Sequence, residues 1–230
     1  HVLVQEPSSP PQDQLAIGPN GGVLAVDASG RAAVLWSKVV SATLSQVIAG
    51  SMAADGSWTV DGVVGESDRF SPVTLTLAMN RAGDALAGWT RGSVAVPSDS
   101  VRSVNVIRRA AGGGWGVPET VARDADMSSF RARLDVASDG SAIAGWLRQA
   151  PTGLAGVPVA AVRTSGGPWS APVDLTLPKE GSSLGRHIAG VALDDAGNGA
   201  AAWSDGPVGE QAWIARFSPT SVPPPTPSPP

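Results

Sequence analysis

The sequence has no cysteine and no tyrosine, and lysine and histidine are rare among its 230 residues. Without cysteine the chain can form no disulfide and can offer no thiolate to a metal. It contains no apolar run of about 20 residues, the length that a transmembrane helix needs. Because the net charge is −4 and Lys and Arg do not cluster, we expect no binding to nucleic acid and no insertion into a membrane.

Glycine and proline are abundant, with 28 Gly and 20 Pro, whereas charged residues make up only 16% of the chain. This composition is typical of short strands joined by many turns, and not of long surface helices. A hydrophobic content of 42% is enough for a sizeable core. The length therefore suits one large all-β domain or two small ones.

One segment recurs four times, each time ending in tryptophan, and the tryptophans are 53, 57 and 57 residues apart. A glycine stands six residues before each tryptophan, and apolar residues alternate on both sides of it, which predicts a β-hairpin. The copies are LAVDASGRAAVLW, LAMNRAGDALAGW, LDVASDGSAIAGW and VALDDAGNGAAAW; their glycines are Gly30, Gly83, Gly140 and Gly197, and their tryptophans are Trp36, Trp89, Trp146 and Trp203.

A second motif follows the first three copies and consists of a strand, a glycine turn, a tryptophan and another strand. Its tryptophans are Trp58, Trp115 and Trp169. Each unit is therefore two hairpins, with strands a, b, c and d, and such a meander repeated at this period predicts a β-propeller blade. We expect the tryptophans of both motifs to fill the wedges between neighbouring blades.

The fourth unit supplies strands a, b and c only. Residues 1–6 can provide the missing strand, so we predict an all-β propeller of four four-stranded antiparallel blades, closed by the N-terminal strand pairing into the last blade. The propeller would span residues 1–219, in units of about 7–60, 61–121, 122–176 and 177–217 plus 1–6. Residues 220–230 would be a proline-rich tail or linker. A piece of a larger propeller and a two-sheet sandwich are the alternatives.

The pairing of D-x-x-G-x-A-x-A-x-W with R-x-x-G-G-x-W-S-x-P resembles the repeats of secreted bacterial β-propeller proteins, distant relatives of the sialidase-like (BNR or Asp-box) repeat superfamily. The resemblance covers nearly all of residues 15–217 and implies a secreted or cell-surface propeller, a fold that hosts glycosidases, lectins and protein-binding scaffolds. The Asp-box, S-x-D-x-G-x-x-W, is matched incompletely by AADGSW. The sialidase tyrosine nucleophile has no counterpart, so that activity is not carried over.

The predicted topology separates two faces. The short a–b and c–d turns lie on one, and the long, dissimilar b–c and d–a connections lie on the other, the long-loop face. Because function in β scaffolds usually resides on variable loops held by a rigid frame, we predict ligand binding there. The candidates are Arg69, Arg123, Asp126, Arg186 and His187 in d–a connections, Arg91, Arg148 and Asp205 in b–c connections, and Trp213 as an exposed aromatic in strand c. A loop-bracing role is the alternative for each charge.

No catalytic residue, metal site or cofactor is predicted. His187 is the one internal histidine, which excludes a His-pair metal site. Several carboxylates, Glu66 among them, could reach the channel mouth, but nothing selects the facing pair that a glycosidase needs. Three arginines recur on strand c and are expected to pack their stems with the guanidinium in solvent: Arg109, Arg163 and Arg216.

The sequence therefore predicts a non-catalytic secreted or cell-surface propeller that recognises a protein or a glycan through its long-loop face. The first alternative is a structural subunit of an extracellular assembly, held by exchange of the N-terminal strand or of the proline-rich tail. The second alternative is a glycosidase-like enzyme.

Overall fold

The structure is a computed structural model that describes residues 22–41, 44–67, 74–91, 102–124, 128–149, 156–175, 187–205 and 211–218. The regular secondary structure in these ranges is β-strand throughout. No helix in this part of the chain is long and apolar enough to cross a membrane.

Within the described ranges, fifteen strands form four antiparallel sheets, and neighbouring strands follow one another in the chain. The first sheet contains β1 (Val23–Val26), β2 (Ala32–Ser41), β3 (Leu44–Met52) and β4 (Trp58–Ser67). The second contains β5 (Leu75–Met79), β6 (Ala85–Arg91), β7 (Arg102–Arg109) and β8 (Glu119–Asp124). The third contains β9 (Ser128–Val136), β10 (Ala142–Gln149), β11 (Gly156–Arg163) and β12 (Val173–Asp174). The described part of the fourth contains β13 (His187–Leu193), β14 (Gly199–Asp205) and β15 (Gln211–Phe217).

Three layers of core are seen in the described part of the chain, one between each pair of successive sheets. Each layer contains one fully buried strand-b tryptophan, which is Trp89, Trp146 or Trp203, and one partly buried tryptophan from the second half of the unit, which is Trp115, Trp169 or Trp213. Short four-stranded meanders that pack face to face in chain order are the arrangement of propeller blades.

Closure of the ring stays a prediction, because residues 1–6 lie outside the described residues. The proline-rich tail, residues 220–230, lies outside them as well. The first three sheets end at residues 67, 124 and 174, so the unit boundaries predicted near residues 60 and 121 fall inside β4 and β8.

Several connections predicted as loops are largely strand. Residues 37–46 lie mostly in β2 and β3, whose register pairs Val39 with Ser45 and Ser41 with Leu44. Residues 61–67 complete β4. The loop prediction was wrong here because backbone pairing between two long strands continues beyond the buried core. Side chains at residues 38–41 are exposed on both faces, so the sequence there shows no alternation of apolar and polar residues that would indicate a strand. Val39 and Val40 are exposed although both lie in β2.

The four a–b turns have one geometry. The backbone N–H of the first turn residue donates to the carbonyl of the fifth, as from Asp27 to Arg31 at 2.9 Å and from Asp194 to Asn198 at 2.8 Å. The fourth residue is the repeated glycine, with φ between 81° at Gly197 and 97° at Gly83. Only glycine adopts this left-handed region without strain, which explains the periodic glycine.

The a–b turns also bind one another, and we call residues 27–31, 80–84, 137–141 and 194–198 the turn belt. The Arg31 guanidinium donates to the Ala82 carbonyl at 2.7 Å, and the Asn80 side-chain amide donates to the Ala137 carbonyl at 2.9 Å. The Ser138 amide donates to the Asp195 carboxylate at 3.1 Å. Each sheet is therefore tied to the next by a polar contact at one edge.

The carboxylate of Asp27 makes the turn belt sensitive to acid. Burial alone would raise its pKa, but hydrogen bonds from the side chains and backbone amides of Ser29 and Arg31 outweigh burial and lower the pKa to about 2 from 3.8. A carboxylate with a lowered folded-state pKa contributes stability above its unfolded pKa, and this contribution is lost as the pH falls through the folded value.

We therefore expect the thermal midpoint to fall as the pH is lowered from about 4 to about 2, and to fall less steeply in Asp27→Asn, which has no proton to take up at this position. Unfolding followed by circular dichroism across this pH range measures both slopes. Equal slopes in the two proteins would show that Asp27 does not couple protonation to unfolding.

Candidate functional site

The long-loop face is the edge of the sheets at which the b–c hairpins and the connections between sheets lie. Backbone pairing places four predicted site residues at this edge: Arg91 opposite Ser103, Arg123 opposite Ser103 on the next strand, His187 opposite Ser204, and Asp205 opposite Gln211. Of the remaining predicted residues, Arg69, Asp126 and Arg186 lie outside the described residues. The structure therefore describes the positions of only some of the predicted site residues.

Arg148 makes the best-defined polar contact at the long-loop face. Its Nη2 lies 2.8 Å from both carboxylate oxygens of Asp174. Arg148 is two residues from Trp146, and Trp146 and Asp174 both pair with Val159. Because side chains alternate along strands, both charges lie on the face of the third sheet that is turned toward the second.

Asp174 was missed in the sequence because β12 has only two residues and its sequence carries no alternation. The register of the third sheet was the signal that could have found it, since Asp174 lies in strand d, five residues after Trp169, and is across β11 from strand b. The contact also shows that Arg148 is held by the frame, with its guanidinium partly exposed beside the more exposed carboxylate.

A second polar group lies between the first and second sheets. Glu66, near the end of β4, has an exposed side chain that accepts a hydrogen bond from Gln46 at 3.4 Å. Its carbonyl accepts one from the indole N–H of Trp89 at 3.3 Å. A buried core tryptophan of one sheet therefore fixes the backbone that carries an exposed carboxylate of the preceding sheet.

Buried polar side chains support the same edge from within the second sheet. The side-chain amide N–H of Asn105 donates to the Ser103 hydroxyl at 2.9 Å, and the partly buried hydroxyl of Thr120 donates to the side-chain oxygen Oδ1 of Asn105 at 3.0 Å. Ser103 pairs with Arg123, whose side chain is exposed. Buried polar groups that satisfy one another stiffen a strand end, so Arg123 extends from a rigid base.

Trp213 does not occupy the exposed position that we predicted. It pairs with Trp203 across β14 and β15 and packs against the apolar layer between the third and fourth sheets. Alternation along the strand determines this outcome, because Trp213 lies on the same face as Trp203. The large apolar side chain that β15 exposes is that of its neighbour Ile214.

Arg163 also differs from its predicted environment. Its guanidinium is buried, lies 3.0 Å from a carboxylate oxygen of Glu119 in the second sheet, and sits 5.3 Å from the centroid of the Trp169 ring. The ion pair joins strand c of the third sheet to strand d of the second, and the ring of Trp169, which belongs to the third unit, stacks on the same guanidinium. Arg216 is exposed, as predicted, but the register shows that it is not equivalent to Arg163, because Arg163 pairs with Ala142 whereas Phe217 occupies the corresponding position opposite Gly199.

Among the described residues, the carboxylates whose pKa is shifted all lie at the turn edge, away from the long-loop face. Besides Asp27, hydrogen bonds from Ser57 lower the pKa of Asp55, those from Asn198 lower the pKa of Asp194, and those from Ser138 lower the pKa of Asp195. Turn geometry accounts for each shift, so these groups are structural. Within the described ranges, no three His, Asp or Glu residues are grouped so that they could hold a metal ion.

The sequence matches no protein-family model and no curated protein. In fold, the chain is similar to a polysaccharide lyase, an ulvan lyase, with a TM-score of 0.59 and 8% identity over 85% of this chain and 51% of that one. It is similar to an α-L-arabinanase of Penicillium chrysogenum, with a TM-score of 0.55 and 10% identity over 90% of this chain and 65% of that one. It is also similar to an α-L-arabinofuranosidase of Fusarium graminearum, with a TM-score of 0.51 and 14% identity over 85% and 60%.

At these identities the similarity establishes the propeller fold and no family membership. The chain spans between 51% and 65% of the length of these three structures. The comparison contradicts the prediction of a non-catalytic binding propeller, because these three propellers of similar fold are carbohydrate-active enzymes.

Proposed function

We propose that the chain forms part of a carbohydrate-active propeller that cleaves a polysaccharide bound across its long-loop face. The fold shared with a polysaccharide lyase, an arabinanase and an arabinofuranosidase carries this proposal. Two such structures contain glycan, since the ulvan lyase is described bound to -[GlcA(1-4)Rha3S]- and the arabinanase complexed with arabinobiose. Secretion, which would bring the protein to such substrates, is part of the proposal.

The described residues at the long-loop face favour an acidic polysaccharide. The guanidinium groups of Arg123 and Arg148 can each form paired hydrogen bonds with a carboxylate or a sulfate ester. The carboxylates of Glu66 and Asp174 can accept hydrogen bonds from sugar hydroxyls. The other predicted contacts, which are Arg69, Arg91, Asp126, Arg186, His187 and Asp205, are proposed to complete this surface.

Two reaction classes fit a propeller of this kind, and their products differ. Hydrolysis uses two carboxyl groups on opposite sides of the glycosidic bond and releases a saturated sugar with a new reducing end. Lyase chemistry removes a proton beside the uronate carboxylate and eliminates the leaving sugar, so the new non-reducing end carries a double bond. Reducing-end release together with ultraviolet absorbance of the unsaturated product separates the two.

The test is incubation of the protein with a panel that contains a sulfated uronic-acid polysaccharide, a neutral arabinan and unsulfated polyuronates. We expect cleavage of an acidic member, and a loss of about tenfold or more in kcat/KM for Arg148→Ala, because hydrogen bonds to charged groups contribute about 1.5–3 kcal/mol. Arg109→Ala is the matched control, since Arg109 lies at the turn edge and donates to the Gly113 carbonyl. Thermal midpoints of all proteins show that each variant is folded.

Absence of both cleavage and saturable binding across the panel would contradict the proposed function. Equal activity of wild type and Arg148→Ala on a cleaved substrate would place the substrate away from the long-loop face. An effect of Arg109→Ala equal to that of Arg148→Ala would show that the loss reflects charge and not position.

A further inference from the structure

The layer between the second and third sheets has an arginine at each end. Arg163 pairs with Ala142 at the turn edge, and Arg148 lies further along the strand of Ala142, at the long-loop face. Because side chains alternate along strands, both arginines lie on the same face of the third sheet. Each contacts a carboxylate whose side chain is 46% exposed, Glu119 for Arg163 and Asp174 for Arg148. The two ion pairs therefore have the same composition and differ in their surroundings.

The Arg163 pair is enclosed. The arginine side chain is only 5% exposed, and its guanidinium contacts Glu119 of the second sheet and the ring of Trp169. An arginine buried to this extent has no surface to offer a ligand. This pair joins two sheets, and its role is structural.

The Arg148 pair is open to solvent. The arginine side chain is 21% exposed, and its Nη2 lies 2.8 Å from both carboxylate oxygens of Asp174. Its Nε is buried and has no hydrogen-bond partner in the described ranges. A ligand can therefore reach the guanidinium only at its Nη end, which is the end that Asp174 contacts.

The frame does not need the carboxylate of Asp174. The backbone of β12 is held by pairing with Val159 and by the N–H of Leu175, which donates to the Pro158 carbonyl at 2.8 Å. Leu175 itself is buried. The ion pair lies within one sheet, and exposed pairs of this kind contribute little to stability. What the Asp174 carboxylate changes is the charge that Arg148 presents to a ligand.

The pair as a whole favours an uncharged ligand. An anion that binds the Nη end of Arg148 comes close to the Asp174 carboxylate as well, and the two like charges repel. A hydroxyl group meets no such repulsion. Two neighbouring hydroxyls of a sugar can accept a hydrogen bond from the guanidinium and donate one to the carboxylate at the same time.

We propose that Asp174 determines specificity at Arg148, by making the pair a subsite for an uncharged sugar unit with two neighbouring hydroxyls. This inference rests on the proposed function and refines it. The acidic units of the polysaccharide would then bind elsewhere on the long-loop face, where the exposed Arg123 lies. Removal of the Asp174 charge would turn Arg148 into a site for an anion.

Thermal unfolding in inorganic sulfate tests this charge preference without any polysaccharide. Sulfate is exchanged for chloride at constant ionic strength, and the rise of the thermal midpoint gives the affinity of the folded protein for sulfate. Asp174→Asn keeps the size of the side chain and is expected to bind sulfate about threefold more tightly than wild type, because a carboxylate beside an exposed cation has about this effect. The gain should disappear when Arg148→Ala is added to Asp174→Asn.

Two variants control for the loss of one negative charge. Glu119→Gln removes the charge beside the enclosed Arg163, and Asp55→Asn removes it from a turn in which the carboxylate accepts hydrogen bonds from Ser57. Neither control should bind sulfate more tightly than wild type. An equal gain in either control, or no gain in Asp174→Asn, would overturn the proposal. Damage to the fold cannot imitate the expected result, since the expected result is tighter binding.

The polysaccharide panel tests the sugar unit. Asp174→Asn is expected to raise the ratio of kcat/KM for acidic over neutral polysaccharides by about threefold, through KM. A ratio equal to that of wild type would overturn the uncharged subsite while the proposed function stands. Absence of cleavage and binding with every polysaccharide would overturn the proposed function and the sugar ligand with it, and the sulfate titration decides the role of Asp174 in either case.

Discussion

Trp146→Ala is expected to reduce the free energy of unfolding by about 3–5 kcal/mol, the range for removal of a fully buried aromatic side chain. The indole is completely buried in the layer between the second and third sheets, together with Leu134, Val104 and Val159. Because small domains are stable by only about 5–15 kcal/mol, this loss would remove a large fraction of the total stability. Urea denaturation measures the change directly.

Two variants control for this prediction. Trp146→Phe retains most of the apolar volume and removes an indole N–H that has no hydrogen-bond partner in the described part of the chain, so it should cost less than half as much. Val117→Ala removes an exposed side chain and should change the stability by less than about 0.5 kcal/mol. A loss below 1 kcal/mol in Trp146→Ala would mean that the tryptophans do not hold the sheets together.

The repeat made much of the fold predictable. A constant number of residues between glycine and tryptophan fixes the register of a hairpin. The glycine marks the position of the turn, and the alternation of apolar residues shows on which face of the sheet the tryptophan lies. Gly140 and Trp146 lie where this reasoning puts them, at a left-handed turn and in the layer between sheets. Local rules suffice here because each unit repeats the same short-range pairing.

The site was less predictable, because it depends on contacts between distant parts of the chain. Arg148 reaches Asp174 across β11, and Arg163 reaches Glu119 in another sheet. Neither partner has a local sequence signal. Trp213 was assigned to solvent because it does not follow a turn, although its pairing with Trp203 puts both rings on one face.

The two edges of the sheets differ in a way that bears on function. At the turn edge, short turns of one geometry bind one another through Arg31, Asn80 and Ser138. At the long-loop edge, Glu66, Arg123 and Arg148 lie near strand ends that hydrogen bonds hold in place. A rigid belt on one side permits variation on the other, and the glycan site is proposed on the variable side.

The substitution Gly65→Ala is expected to destabilise the protein by about 1–3 kcal/mol, as overpacking of a core does. A Cβ at Gly65 would lie 2.6 Å from Cε2 of the buried Trp89 ring. The ring cannot move freely, because it fills the layer between the first and second sheets. Gly114→Ala is the matched control, since a Cβ there meets nothing within 4 Å, and it should be neutral or slightly stabilising. Urea denaturation of each variant measures the difference.

A double-mutant cycle tests whether the added methyl group and the Trp89 ring compete for the same space. Trp89→Phe makes room for the added methyl, so Gly65→Ala should cost less in that background, and the coupling energy should be at least about 0.5 kcal/mol. The Trp89 N–H also donates to the Glu66 carbonyl, so displacement of the ring moves an exposed carboxylate of the proposed glycan surface. Gly65→Ala should therefore alter KM for a cleaved polysaccharide under conditions where the variant is fully folded. Additive changes in stability would show that the methyl is accommodated by the backbone of β4 and not by displacement of the Trp89 ring.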